Sequence, residues 1–279
     1  MPETVFFNDK FVPLSEAQIS VSNPGFLDGW GLFETMRSFK GRIVYLDRHL
    51  DRIDGACKFI DMHRPAMARN KLIKNIESLV RMSGFSDARV RVVFLKSAPR
   101  TEVLITAKKY TPFTKDFYER GFKVCVSSFR QDENSYFAQL KTINRLFYRM
   151  ILEQARKKKF DESLILNTCG DITEGSRSNI FFVKDKTIYT PELSCGCLPG
   201  ITRSVIFDFA KANKIKLCEG KFTLKDISYS DEAFLTNSML GVMPVESIER
   251  CRISKGVRSF AITNMLMKKY SYVVKNGTQ

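Results

Sequence analysis

Glu174-Gly175-Ser176-Arg177-Ser178-Asn179 runs straight into Ile180-Phe181-Phe182-Val183, a polar, glycine-containing link feeding an apolar run. The apolar run reads as a strand, since aromatic and β-branched side chains suit a pleated, buried surface. Glu174 then lies near a strand end, where a carboxylate can keep a heterocyclic nitrogen protonated. A solvated turn has the same composition. Upstream, Lys141-Thr142-Ile143-Asn144-Arg145 precedes Leu146, Phe147, Met150 and Ile151, whose spacing with Ile143 predicts a helix opening at Thr142. A lysine there is a nucleophile if partly dehydrated and an ordinary exposed cation otherwise. Downstream, Leu198-Pro199-Gly200-Ile201-Thr202-Arg203 carries a glycine turn into an amphipathic helix expected over 201–212. The unpaired N–H groups of a helix start suit a phosphate, but an ordinary loop-to-helix junction looks the same.

Working outward, the second half alternates strands and helices: strands at 122–127, 163–166, 187–189, 216–218, 233–236 and 242–245, and a closing helix from about 257 to 270. The pattern breaks at Thr111-Pro112, which places a domain boundary there: 1–112 as a small α+β domain and 113–279 as a larger one. The first domain reads as short strands at 5–7 and 10–12, then helices, then strands at 89–96 and 102–109 around a turn at Ala98-Pro99. The helices carry Leu46, Leu50, Ile53 and Ile60, and Leu72, Ile73, Ile76, Leu79 and Val80. Two α+β domains summarise this order.

Composition narrows the function. The formal charge is +15, from 45 Lys and Arg against 30 Asp and Glu, yet the basic residues are scattered. Their densest run, Arg156-Lys157-Lys158-Lys159, ends an amphipathic helix, where cations complement the dipole. A non-enzymatic nucleic-acid-binding protein is therefore an outside alternative, and no nucleic-acid partner is expected. The 7 cysteines are irregularly spaced without a CxxC pair, and no secretory signal opens the chain, which fits a reducing cytoplasm. Cys195-Gly196-Cys197 lacks a second ligand pair, so no metal is expected. The 2 histidines leave little room for a Ser-His-Asp triad. No apolar stretch approaches the roughly 20 residues that cross a bilayer.

Order and spacing join the three segments. Glu174 follows Lys141 by 33 residues, and Gly200 follows Glu174 by 26. With Asp161-Glu162-Ser163-Leu164-Ile165-Leu166 and Tyr189-Thr190-Pro191, they resemble class-IV aminotransferases, the fold-type-IV pyridoxal-5′-phosphate (PLP) enzymes. Asp28-Gly29-Trp30-Gly31-Leu32-Phe33-Glu34-Thr35-Met36-Arg37 and Leu46-Asp47-Arg48-His49-Leu50-Asp51-Arg52 fit the same family, so the resemblance spans almost the whole chain.

The resemblance implies a small α+β domain and a larger pseudo-barrel domain with PLP between them, in a homodimer. It makes Lys141 the Schiff-base lysine and acid/base. Glu174 would serve the pyridine nitrogen, and Gly200, Ile201, Thr202, Arg48 and Ser238 the phosphate. Ser178 and Asn179 fall within the cofactor segment, and His49 is taken as structural.

Three activities share this scaffold: branched-chain aminotransferase, D-amino-acid aminotransferase and 4-amino-4-deoxychorismate lyase. All act on a small amino-carboxylate substrate. Lys96-Ser97-Ala98 stands where D-amino-acid enzymes show Arg-x-His. Phe33-Glu34-Thr35 and Asn237-Ser238 depart from the Phe-Glu-Gly and Gly-Thr of branched-chain enzymes. The segment 234–245 looks more like the lyases, in which an asparagine at the position of Asn237 helps hold substrate. Arg91 and Arg100 lie where that group places basic residues, and Phe33 and Thr35 complete the expected substrate site. The expectation is the lyase, with a branched-chain aminotransferase as the alternative.

Overall fold

The computed structural model describes residues 3–97, 100–253 and 260–277. The backbone packs as two units, one of residues 1–111 with 140–144, the other of 112–139 with 145–279. Among the described residues, the first holds a six-stranded sheet and the second a nine-stranded one.

The first unit comprises β1 (Thr4–Phe7), β2 (Lys10–Pro13), α1 (Pro24–Leu27), β3 (Gly31–Phe39), β4 (Arg42–Ile43), α2 (Leu46–Phe59), α3 (Arg69–Ser83), β5 (Asp87–Leu95) and β6 (Glu102–Lys109). Its strand order is β2-β1-β6-β5-β3-β4, antiparallel at every pairing. Alternation sends Leu32 and Met36 of β3, Val90, Val92 and Phe94 of β5, and Val103 and Ile105 of β6 into one core. The apolar stripes of α2 and α3, through Leu50, Ile53, Leu72, Ile76 and Leu79, close that core. The two expected helices are present as α2 and α3, but β3 and β4, which were not expected, come between them and the first two strands. Ala98-Pro99, the expected turn, lies outside the described residues.

The helix expected at Thr142 begins four residues later, as α5 (Leu146–Lys157). The Phe33 N–H donates to Lys141 O at 2.9 Å and the Ile143 N–H donates to Gly31 O at 3.0 Å, so residues 141–143 are held extended against β3. These bonds are incompatible with a helix over the same residues. The buried face of α5 also differs from the expected one. Ile151, Leu152 and Ala155 are buried, whereas Leu146 and Met150 are exposed.

The second unit adds α4 (Lys115–Arg120), β7 (Phe122–Gln131), β8 (Glu162–Asn167), β9 (Ile172–Gly175), β10 (Asn179–Lys184), β11 (Thr187–Pro191), α6 (Ile201–Ala212), β12 (Leu217–Gly220), α7 (Leu224–Ser228), β13 (Glu232–Asn237), β14 (Gly241–Ile248), β15 (Cys251–Arg252) and α8 (Ala261–Asn276). The expected start of the closing helix at Val257 lies outside the described residues. The main strand path is β12-β11-β10-β13-β14-β7-β8-β9, with β15 on β14.

That path has to curl. β9 and β10 lie five strand spacings apart along it, roughly 24 Å if the sheet were flat. Residues 176–178 alone join them, a connection that spans at most about 15 Å. The sheet therefore bends into a pseudo-barrel around Phe122, Leu164, Ile172, Ile180, Phe182, Leu235 and Met243. No helix among the described residues is long and apolar enough to cross a membrane.

Candidate active site

In the first unit the candidate residues gather on β3 and its neighbours. Lys141 is half-buried, and its Nζ lies 4.8 Å from the centre of the Phe33 ring. The Arg91 guanidinium stands over the same ring at 4.1 Å. Thr35 is paired directly with Arg91 between β3 and β5, so the two side chains emerge from one face of the sheet. Leu95, Val93, Leu104 and Ile143 pack with Phe33. Arg100 and Arg48 are exposed, Arg48 with its guanidinium 5.4 Å over Tyr45.

The opposite face of β3 holds a buried polar cluster. Glu34 accepts from Arg52 Nε and Nη2, each at 2.7 Å, and lies 2.7 Å from His49 Nδ1. Burial alone would raise the Glu34 pKa, but Arg52 and His49 outweigh it and pull it down to about 2. An ionised Glu34 can only accept, so His49 Nδ1 carries the hydrogen. Burial lowers the His49 pKa against the pull of Glu34, and the charges of Arg52 and Lys141 lower it further. His49 is thus a neutral imidazole with Nε2 as its acceptor.

In the second unit Glu174 lies on β9, a strand that replaces part of the expected link. It is buried, accepting from the Leu198 N–H at 3.2 Å and from Asn179 Nδ2 at 3.5 Å. Asn179 Nδ2 also donates to Leu198 O at 2.8 Å, tying Glu174 to the turn before α6. Burial, then the charge of Glu174, push the Tyr148 hydroxyl above its usual range, which keeps it a neutral donor. Burial likewise depresses Arg145, opposed by Tyr148, Glu174 and Glu162.

Gly200 is the N-cap of α6, and Ile201 and Thr202 begin the helix, both buried. A Cβ on Gly200 would stand 2.0 Å from Asn179 Oδ1, so a larger residue here would have to displace the Asn179 amide. The Thr202 hydroxyl faces that of Tyr270 at 3.5 Å. Thr236 is paired with Asn179 between β10 and β13, and its hydroxyl is buried with no hydrogen-bond partner.

The other expected residues are held within the unit. The Ser178 hydroxyl is buried and donates to Glu162 at 3.3 Å. Asn237 shapes the β13–β14 turn: Oδ1 accepts from the N–H groups of Met239 and Leu240, and Nδ2 donates to Arg177 O. Ser238 is half-buried in that turn.

Sequence reasoning missed Glu34, Arg52, Tyr148, Glu162 and Thr236. The motifs containing Glu34, Arg52 and Glu162 were visible, but nothing local marks those side chains as buried.

A family model for amino-transferase class IV matches residues 31–248. The chain is 27% identical to the aminodeoxychorismate lyase of Bacillus subtilis (strain 168), over 98% of this chain and 95% of that protein. It is 28% identical to a branched-chain-amino-acid aminotransferase of Pseudomonas aeruginosa, over 99% and 94%. Among solved structures, a T.th. branched-chain amino acid aminotransferase with pyridoxamine 5′-phosphate superposes with a TM-score of 0.91 at 25% identity, over 100% and 96%. The chain belongs to the class IV amino-transferase family, the fold-type-IV PLP enzymes.

Proposed function

We propose that this enzyme is a 4-amino-4-deoxychorismate lyase, forming 4-aminobenzoate and pyruvate, with Lys141 anchoring PLP. Two features of the second unit suit the cofactor. The side-chain-free turn at Gly200 opens α6, and the orphaned Thr236 hydroxyl lies in register with Asn179, which touches that turn. A phosphate takes helix N–H groups and hydroxyls as donors. We assign its binding to Gly200, Ile201, Thr202 and Ser238, with Thr236 added. PLP supplies an electron sink for the pair released at the substrate α-carbon.

The protein's own groups do the rest. Glu174, held by the Leu198 N–H and Asn179, would serve the pyridine nitrogen and keep it protonated. Lys141 Nζ would hold the cofactor and carry a proton to or from the substrate α-carbon. Phe33 provides an apolar wall beside Nζ.

The observation that carries the lyase reading is Arg91, paired with Thr35 and standing over the same Phe33 ring as Lys141. A substrate bearing a ring and two carboxylates meets there an aromatic face, a hydroxyl and a fixed cation. The apolar group of Val93, Leu95, Leu104 and Ile143 favours a second reading, a branched-chain aminotransferase, in which Arg91 would take the distant carboxylate of 2-oxoglutarate.

Two parallel reactions separate these readings. Aminodeoxychorismate should yield 4-aminobenzoate, while leucine with 2-oxoglutarate should yield no glutamate. Glutamate without 4-aminobenzoate would establish the aminotransferase instead.

A further inference from the structure

Residues 176–178 run from the strand that carries Glu174 to the strand that begins at Asn179, and they close around a single carboxylate. Glu162, on β8, is fully buried. Its Oε1 accepts from the Ser163 N–H at 3.0 Å, from the Ser176 N–H at 3.2 Å and from the Ser176 hydroxyl. Its Oε2 accepts from Arg177 Nε and from the Ser178 hydroxyl, each at 3.3 Å. Each of the three linking residues thus donates to it.

The fit is close. A Cβ on Gly175 would lie 2.5 Å from Ser178 Oγ and 3.2 Å from Glu162 Cγ. The link is tied outward as well, since Ser176 O accepts from Arg145 Nη2 at 2.9 Å and Arg177 O accepts from Asn237 Nδ2 at 3.0 Å.

A buried carboxylate is costly unless several donors compensate it, and an apolar residue of similar size would curl the sheet without that cost. What the carboxylate adds is direction: its donors fix residues 176–178 of the link between Glu174 and Asn179.

We propose that Glu162 is a positioning residue that acts through Glu174, aiming its carboxylate at the cofactor ring by holding residues 176–178. The inference rests on the assignment of Glu174 to the ring nitrogen.

The test is a double-mutant cycle on the holoenzyme, measuring PLP affinity by equilibrium dialysis and kcat at saturating PLP. Glu162→Gln places an amide among groups that all donate, so both quantities should fall about tenfold. In a Glu174→Gln background the further loss should be under about threefold, because residues acting as a unit are not additive.

Ser176→Ala removes one hydroxyl from the same carboxylate and provides the cycle if Glu162→Gln does not fold. Its smaller loss should vanish in the Glu174→Gln background in the same way.

Losses that multiply fully in both backgrounds would overturn the inference and leave Glu162 a structural residue. Wild-type affinity and kcat in Glu174→Gln alone would overturn the assignment of Glu174 and the inference with it.

Discussion

Gly200 shows how tightly the candidate phosphate turn is drawn. Its backbone φ of −69° suits any residue, so the demand for glycine comes from Asn179 Oδ1, 2.0 Å from where a Cβ would stand. Gly200→Ala should displace Asn179 from Leu198 O and Glu174, costing about 1–3 kcal/mol of stability by overpacking. PLP retention in dialysis should weaken in parallel, and wild-type retention would separate this turn from the cofactor. Lys141, Glu174 and Gly200 could be proposed from the sequence because each stands in a short motif with a fixed order. Glu34, Glu162 and Tyr148 could not. A buried glutamate and an exposed one read alike, and the partners of Glu34 lie 15 and 18 positions away.

Among the elements, β3 and α2 form a strap in which one carboxylate holds two side chains of the helix. His49 and Arg52 are three residues apart, so they share a helix face and reach Glu34 together. The Glu34 pKa is lowered from 4.5 to about 2, so its stabilisation is complete above about pH 5 and is lost as pH falls from there towards 2. His49 adds in the same direction: its lowered pKa means that below about pH 6.5 the unfolded chain takes up a proton the folded chain refuses. Glu34→Gln should cost about 3–5 kcal/mol near neutral pH, because it removes the buried carboxylate to which both Arg52 and His49 are bonded. Its stability should also fall less steeply between pH 4.5 and 2 in urea titrations. An acid dependence equal to that of the wild type would show that the carboxylate is not the acid-sensitive group.

Elements differed in how plainly they could be read. The strand Glu102–Lys109 and the helix Ile201–Ala212 match the expected ranges, since the period of each is unbroken. β3 was hidden because two of its inward positions, Glu34 and Ser38, are polar, which breaks the alternation. β9 was hidden by flanking turn residues, Gly170 and Asp171 before it and Ser176 after it. The start of α5 was misplaced because the demand of β3 for the backbone of residues 141–143 is tertiary, and no local spacing records it.

At the scale of the whole molecule, the chain is a two-unit α+β protein whose second sheet is curled by the brevity of one connection. That connection joins the strand carrying Glu174 to the strand beginning at Asn179, so the device that shapes the sheet also sets the acidic residue. The charge of +15 is independent of this architecture and bears on solubility and encounter rather than on fold. On the proposed function each chain carries one PLP, anchored on Lys141. Borohydride reduction of the holoprotein, then mass spectrometry of the intact chain and its peptides, tests it most directly. A single cofactor adduct per chain is expected, on the peptide containing Lys141 and absent from Lys141→Ala. An adduct on a different lysine, or none in protein reconstituted with PLP, would contradict it.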